Sequence, residues 1–190
     1  MTIITELLHL IVHFGGKEED FYYLATPEGH STLEAIAKMI AEAGRRVRDT
    51  FRLTINHDRS VEDGIRDGHY DWVNPNITSS TFPSTKRGVE EVGVHLIRFN
   101  RRMDTKQVLA EVDRMGYKPA DHQHALAFGE KYPDIQRQFP IAFLGSFWQD
   151  PGRWCRSCVC LGRDNVGRSL NLYWLVGDWG GSWRFAVLSK

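Results

Sequence analysis

Four short β-type runs separated by turn-rich pieces close the sequence, and they constrain the fold more than any other feature. The runs are "PIAFLGSFW", "WCRSCVCLG", "SLNLYWLV" and "SWRFAVLSK", with "GRDNVG" and "GDWGG" among the connections. Short runs rich in β-branched and aromatic side chains are typical of strands. Because strands joined by such short connections pair antiparallel, the sequence predicts a four-strand antiparallel meander at its C-terminal end.

The part of the sequence before these runs combines helical and strand patterns. In "HSTLEAIAKMIAEAGRRVRDT" Ser31 is followed three positions later by Glu34, a capping box that predicts a helix start. Other helices are predicted over residues 3–14, 105–115 and 120–132. "FRLTIN" and "VGVHLIRFN" alternate apolar and polar side chains, as half-buried strands do. The sequence therefore predicts an α+β fold, with N-terminal helices and a mainly antiparallel sheet.

A polar stretch with two prolines, "NPNITSSTFPSTKRG", interrupts the chain from Asn74 to Gly88. It has no periodicity and is typical of a long loop or linker. We therefore divide the sequence into an N-terminal helical part with one strand (1–74), a loop or linker (75–91) and an α+β part (92–190). A length of 190 residues is also compatible with a single domain, and both divisions stay open.

Twenty-four basic residues balance twenty-four acidic ones, so the formal net charge is zero. That balance argues against general binding to nucleic acid or to an anionic membrane surface. A local arginine patch remains an alternative route to nucleic-acid binding. Its members would be Arg45, Arg46, Arg48, Arg52, Arg98, Arg101 and Arg102.

The apolar stretch "MTIITELLHLIVHFGG" at the start of the sequence has some features of an export signal. It lacks a basic leader, however, and Glu6 interrupts it. Its apolar run, like every later one, is too short for a membrane-spanning helix. We therefore expect a cytoplasmic protein without membrane contact.

Two stretches in the second half of the chain, "ALAFGEKYPDIQRQFPIAFLGSFW" and "LNLYWLVGDWGGSWRFAVLSK", resemble the C-terminal region of a family of uncharacterised bacterial proteins. The resemblance covers roughly the last half of the chain. It implies a bacterial origin and an intracellular setting, and it carries over no catalytic or binding residue.

All three cysteines lie within six positions, in "WCRSCVCL". On a strand, Cys158 and Cys160 project from one face and Cys155 from the other. A zinc site would therefore need a distant ligand such as His122 or His124, and a second cysteine pair is missing. We expect buried reduced cysteines that pack as small apolar side chains, and no metal or other cofactor.

Histidine and aspartate residues crowd the segment that follows the first predicted strand. Imidazole and carboxylate groups together can bind a divalent metal and activate water. The segment therefore supports an alternative function, a metal-dependent hydrolase of phosphodiesterase or nuclease type. Its spacing matches no established motif, and aspartate also favours turns for local reasons. The residues concerned are His57, Asp58, Asp67, His69 and Asp71.

Five of the six tryptophans fall in the last 43 residues. Most of them fit one face of a strand and are predicted to be core. Trp179 differs, because it lies between Asp178 and two glycines in a predicted hairpin tip, where an exposed anchoring role is easiest. We therefore predict a non-enzymatic intracellular module that binds a protein partner through its aromatic C-terminal sheet and loop. The predicted binding residues are Asp178, Trp179 and Trp183.

Overall fold

The structure, a computed structural model, describes residues 3–48, 50–152 and 154–190, and it leaves out the side chains of residues 3 and 41–48. The chain divides into two compact units, Met1–Arg48 and Asp49–Lys190. The arginines at positions 45, 46 and 48, which belong to the predicted patch, have side chains outside the described part. The arginine patch therefore stays a prediction.

The first unit contains the helices α1 (Ile3–His13), α2 (Glu18–Tyr23) and α3 (His30–Arg48). The helix predicted over residues 3–14 is confirmed to within one residue. The helix predicted to begin at Ser31 begins one residue earlier. The Gly29 carbonyl accepts hydrogen bonds from the backbone amides of Thr32 and Leu33, both at 3.1 Å. Ser31 therefore lies inside the helix and does not cap it.

The second unit carries all the strands that the described residues form. No helix in the described parts of the chain is long and apolar enough to cross a membrane. Along the second unit the elements are β1 (Thr50–Asn56), α4 (Val61–Gly68), β2 (Trp72–Val73), β3 (Val89–Ile97), β4 (Met103–Asp104), α5 (Thr105–Arg114), β5 (Tyr117–Pro119), α6 (His122–Lys131), β6 (Ile141–Gln149), β7 (Arg156–Asp164), β8 (Gly167–Trp174), β9 (Asp178–Trp179) and β10 (Arg184–Ser189).

Side-chain caps determine where α5 and α6 begin. The Asp104 carboxylate accepts a hydrogen bond from the Gln107 backbone amide at 2.8 Å, and the Gln107 side chain accepts one from the Asp104 amide. Asp121 caps α6 in the same way, accepting from the amides of Gln123 and His124. Each pair is a reciprocal capping box, which satisfies amides that have no partner within the helix.

The large sheet is mixed, with the strand order β1-β3-β10-β6-β7-β8-β2 and with β5 beside β10. Most neighbours are antiparallel, but β10 runs parallel to β6 and β2 runs parallel to β8. The α+β class is therefore as predicted, whereas the four-strand meander is not. The meander stops after β8, because the chain then leaves to pair β9 with β4. It returns as β10 between β3 and β6.

Two apolar clusters cover opposite faces of the sheet, because alternate side chains of a strand point to opposite sides. On β10, Leu188 packs in the cluster that includes residues from α6, while Phe185 and Val187 pack in the cluster that includes residues from α5. The two cysteines Cys158 and Cys160 lie together in the second cluster. Their common face is as predicted.

The segment proposed as a loop or linker, 75–91, lies within the second unit. Its last residues belong to β3, which begins at Val89. Before that strand, Ile77 and Phe82 are buried in the first cluster. The Thr81 hydroxyl donates to the Thr78 carbonyl at 3.0 Å. This stretch is therefore fastened to the sheet by apolar contacts and by its own hydrogen bonds.

A buried arginine connects α4, α6 and the start of β8. Arg168 is 5% exposed, and its guanidinium donates to the carbonyls of Gly68 at 2.9 Å and Gly129 at 2.6 Å. It also donates to the His69 carbonyl and to the Gln136 side chain. Helix ends leave carbonyls without a partner inside the helix. Arg168 therefore supplies donors to several buried acceptors at once.

Candidate functional site

Trp179 is buried, which corrects the expectation of an exposed anchor. Its side chain is 1% exposed, and its indole Nε1 donates a hydrogen bond to the Thr105 hydroxyl at 2.9 Å. Its ring packs against Trp183 and Phe185, with centroid distances of 4.8 and 5.6 Å. Pairing of β9 with β4 places Trp179 opposite Met103, so the segment forms part of a packed ribbon and not a hairpin tip.

The other two predicted binding residues lie beside Trp179 at different depths. Asp178 is exposed, and its carboxylate lies 3.7 Å from the Arg102 guanidinium. The half-buried Trp183 ring packs against the Tyr173 ring, with centroids 4.8 Å apart. Tyr173 also contacts Trp179, at 5.0 Å between centroids. The two tryptophans therefore support a tyrosine that is itself exposed.

Several of the exposed large apolar side chains lie at one end of the sheet, defined here as the exposed aromatic end: Phe147, Trp154, Tyr173, Trp174 and Val176. Phe147 lies near the end of β6, Trp154 before the start of β7, Tyr173 and Trp174 at the end of β8, and Val176 two residues beyond β8. The pairing of Trp148 with Ser157, and of Ser157 with Trp174, brings the three strand ends together. A groove of about 290 Å³ runs there, lined by Leu172, Tyr173, Trp174 and Val176.

The predicted hydrolase residues do not form one cluster. His57 is 2% exposed and points into the protein, where its Nδ1 meets the Gln123 side-chain oxygen and its Nε2 lies 2.7 Å from Glu90. The carboxylate of Asp58, the next residue, accepts a hydrogen bond from the Gly88 backbone amide at 3.0 Å. His57 and Asp58 therefore both join segments that are distant in the sequence.

The remaining three members of that segment have separate structural partners. Asp67 accepts hydrogen bonds from Arg59 and Arg66. His69 ends α4 in a left-handed conformation with φ of 48°, and Asp71 accepts from the Arg168 backbone amide at 2.6 Å. Within residues 3–48, 50–152 and 154–190, no three His, Cys, Asp or Glu side chains lie close enough together to hold a metal ion. The five residues named for the hydrolase alternative therefore do not form one metal site among the described residues.

Three buried histidines lie near enough to one another, at the start of α6, for their charges to interact, although they form no metal-binding cluster among the described residues. His122 and His124 are 6% and 1% exposed, and the Nε2 atom of each is buried without a hydrogen-bond partner among the described residues. The Nδ1 of His122 lies 3.1 Å from the Ser146 hydroxyl, and that of His124 lies 2.6 Å from Asp121. His57 is the third member.

Burial and neighbouring charges change the pKa values of His122 and Asp121 in this group. Burial lowers the pKa of the His122 imidazole below its usual value of 6.5, and the neighbouring His124 and His57 lower it further, while Asp121 opposes them. Burial alone would raise the pKa of the Asp121 carboxyl, but the hydrogen bond and charge of His124 outweigh burial and leave that pKa well below its usual range.

Acid should therefore weaken the fold through His122. Below about pH 6.5 the unfolded chain binds a proton at this position more readily than the folded protein does, so the free energy of unfolding falls as the pH drops. His122→Asn removes the titrating ring and keeps a polar group near the Nδ1 position. We expect a smaller loss of unfolding free energy between about pH 7.5 and about pH 5.5 in this variant, measured by urea denaturation.

His69→Asn is the matched control, because His69 is exposed and asparagine tolerates its left-handed backbone. Its stability should fall with pH as steeply as that of the unmodified protein. Equal losses in the His122 and His69 variants would contradict the assignment.

No related protein adds information about the function of these sites. Comparisons of the chain with protein-family models, with curated proteins and with solved structures found no match.

Proposed function

We propose that this chain is a non-enzymatic module that binds a protein partner through the exposed aromatic end of the sheet. The groove beside β8 carries the proposal. Three of its lining side chains, Tyr173, Trp174 and Val176, are 42%, 52% and 68% exposed. Exposed apolar patches on soluble proteins commonly mark interaction sites. The proposed setting is intracellular and bacterial, and its bacterial part is what the resemblance of the C-terminal stretches implies.

The lining of the groove favours a protein partner over a nucleic acid. Its four residues, Leu172, Tyr173, Trp174 and Val176, are all uncharged. These four side chains supply no cation of the kind that neutralises phosphates in nucleic-acid binding. Tyrosine and tryptophan, by contrast, are enriched among the residues that dominate protein interfaces. Apolar side chains of a partner polypeptide are therefore the groups that fit this groove.

Two of the residues proposed for binding from the sequence would act indirectly. Trp179 and Trp183 pack against Tyr173 at centroid distances of 5.0 and 4.8 Å. They would hold the Tyr173 ring in place for the partner and need not touch the partner themselves. Asp178 is exposed nearby and would lie at the rim of the interface, where single charges affect association rates more than affinity.

Selection of binding peptides from a random library tests the proposal with a defined probe. Peptides that bind the groove should be rich in apolar residues, and Val176→Asp should weaken their binding by about 30-fold, equivalent to about 2 kcal/mol. Titration calorimetry with the selected peptides measures the change. The free energy of unfolding should stay within about 0.5 kcal/mol, because Val176 is exposed.

Val166→Asp is the matched control. Val166 is 67% exposed, almost the same as Val176, but it lies in the turn between β7 and β8, at the other end of the strand pair. Its substitution should leave peptide affinity unchanged. A selection that yields no binders, or binders equally affected by the two substitutions, would overturn the proposal.

A further inference from the structure

One edge of the large sheet is long and regular. Among the described strands, β1 and β2 stand at the two ends of the strand order. β2 has two residues, whereas β1 has seven, without a proline, and it pairs with β3 in unbroken register. Proteins commonly protect exposed edges with short strands, prolines or bulges, because an open edge accepts further strands. The edge of β1 carries none of these three protections, so it is suited to binding a further strand.

The backbone groups of Thr54 point away from β3. In continuation of the register between β1 and β3, the His57 amide donates to the Gly88 carbonyl at 2.9 Å. Every second residue of β1, counted back from that pair, therefore bonds to β3, and the residues between turn their N–H and C=O groups to the open edge. The Arg52 carbonyl accordingly accepts from the Tyr132 hydroxyl. The amide and carbonyl of Thr54 have no hydrogen-bond partner among the described residues.

A groove of about 340 Å³ runs along this edge. Four consecutive residues of β1, 53–56, line it, whereas a groove over one face of a strand touches alternate residues. Its other walls come from α4, α6 and the loop before α4, with apolar surface from Val61, Leu126 and Ala127. It shares no lining residue with the groove beside β8. An inference about this edge is therefore independent of the proposed function.

The polar side chains that line the groove, except Lys131, have hydrogen-bond partners within the fold. The Arg59 guanidinium donates to Glu130 at 2.6 Å, so these two charges offset each other. Lys131 lies at the end of α6, is exposed and has no carboxylate partner among the described residues. The groove therefore presents one cation in excess, which favours an acidic group in its ligand.

We propose that the edge of β1 binds an extended segment of a partner protein as an added strand. The strand is antiparallel, the more stable direction per residue. Its residue opposite Thr54 accepts a hydrogen bond from the Thr54 amide and donates one to the Thr54 carbonyl. The residues before and after it lie opposite Leu53 and Ile55, whose side chains point to the face that α6 covers. Apolar side chains at these alternate positions therefore meet the helices.

The peptide acetyl-Thr-Val-Thr-Val-Thr-Glu-amide is a defined probe. Its valines face the helices and its threonines face solvent. Because α6 ends beside Arg52 and the peptide runs against β1, its C-terminal glutamate lies towards Lys131. We expect a Kd of roughly 100 μM, measured by titrations followed by ¹H–¹⁵N NMR, with shifted resonances in β1, α4 and α6. Glutamine in place of the glutamate should weaken binding by about threefold.

N-methylation of the peptide tests the backbone pairing directly. In the proposed register the threonine amides point to β1 and the valine amides point away from it. The peptide methylated at its threonine amides should therefore bind at least about tenfold more weakly, whereas the peptide methylated at its valine amides should keep its affinity. Both measurements use the unmodified protein. Absent binding of the parent peptide, or equal effects of the two methylations, would overturn the proposal.

Two substitutions at one position locate the binding. Thr54→Pro removes the outward amide, and an edge strand tolerates proline where the lost amide faces away from its neighbour. This variant should lose the peptide, whereas Thr54→Val, which keeps the amide, should bind it normally. Val176→Asp, in the groove beside β8, should also bind it normally, and a loss there would overturn the proposal. A dimer in sedimentation velocity that Thr54→Pro dissociates would assign the edge to a second copy of the chain and overturn it as well.

Discussion

Trp179→Ala should lower the free energy of unfolding by about 3–5 kcal/mol, the range for truncating a fully buried tryptophan. The side chain is 1% exposed and packs among Tyr173, Trp183 and Phe185. Its removal leaves a void between β9 and the face of the sheet that α5 covers. It also deprives the Thr105 hydroxyl of the indole donor. Urea denaturation of the variant and the unmodified protein measures the loss.

Trp154→Ala is the control for this experiment. Trp154 is 101% exposed, so the same substitution should change stability by no more than about 0.5 kcal/mol. A loss below about 1 kcal/mol for Trp179→Ala, with an unchanged denaturant slope, would contradict the buried position. That result would restore the exposed anchor predicted from the glycine-rich sequence.

Arg168→Met should cost about 3–5 kcal/mol, because removal of one partner leaves the others buried and unsatisfied. The substituted side chain has similar length but no donors. The carbonyls of Gly68, His69 and Gly129 and the side-chain oxygen of Gln136 would all lose a hydrogen bond. Thermal and urea denaturation both measure the effect, and the variant should unfold at a clearly lower temperature.

Arg163→Met provides a control on the neighbouring strand. Arg163 lies directly opposite Arg168 in the pairing of β7 with β8, yet its side chain is exposed. Its replacement should be neutral within about 0.5 kcal/mol. A loss for Arg168→Met as small as that for Arg163→Met would mean that the buried carbonyls have other donors, and the role assigned to Arg168 would be wrong.

Local pattern is enough to predict most strands of this protein but not their order. The alternation in "FRLTIN" places Leu53 and Ile55 on one face, and both are buried. Alternation depends only on neighbouring residues. The position of β10 beside β3 and β6 depends on contacts between residues that are far apart in the sequence, such as Phe185 with Ile97 and Ala142. No local signal distinguishes that arrangement from a simple meander.

The sites were harder to predict for the same reason. Glycines around Trp179 indicate a turn, and a turn alone suggests exposure. The indole nitrogen nevertheless donates a hydrogen bond to Thr105, which lies 74 positions away in the sequence. The partners of His57 are 33 and 66 positions away. Proximity of His57 to Asp58 and His69 along the chain therefore carried no information about which groups meet in space.

Because β10 lies between β3 and β6, the sheet can be completed only late in the synthesis of the protein. A ribosome releases β1 and β3, and then β6, β7 and β8, before residues 184–189 exist. Each group can pair internally, but the two groups become one sheet only through β10. Until then β3 and β6 each present an open edge, and open edges pair readily with other chains. Assembly through such distant contacts is slow, so aggregation competes with folding mainly during this interval.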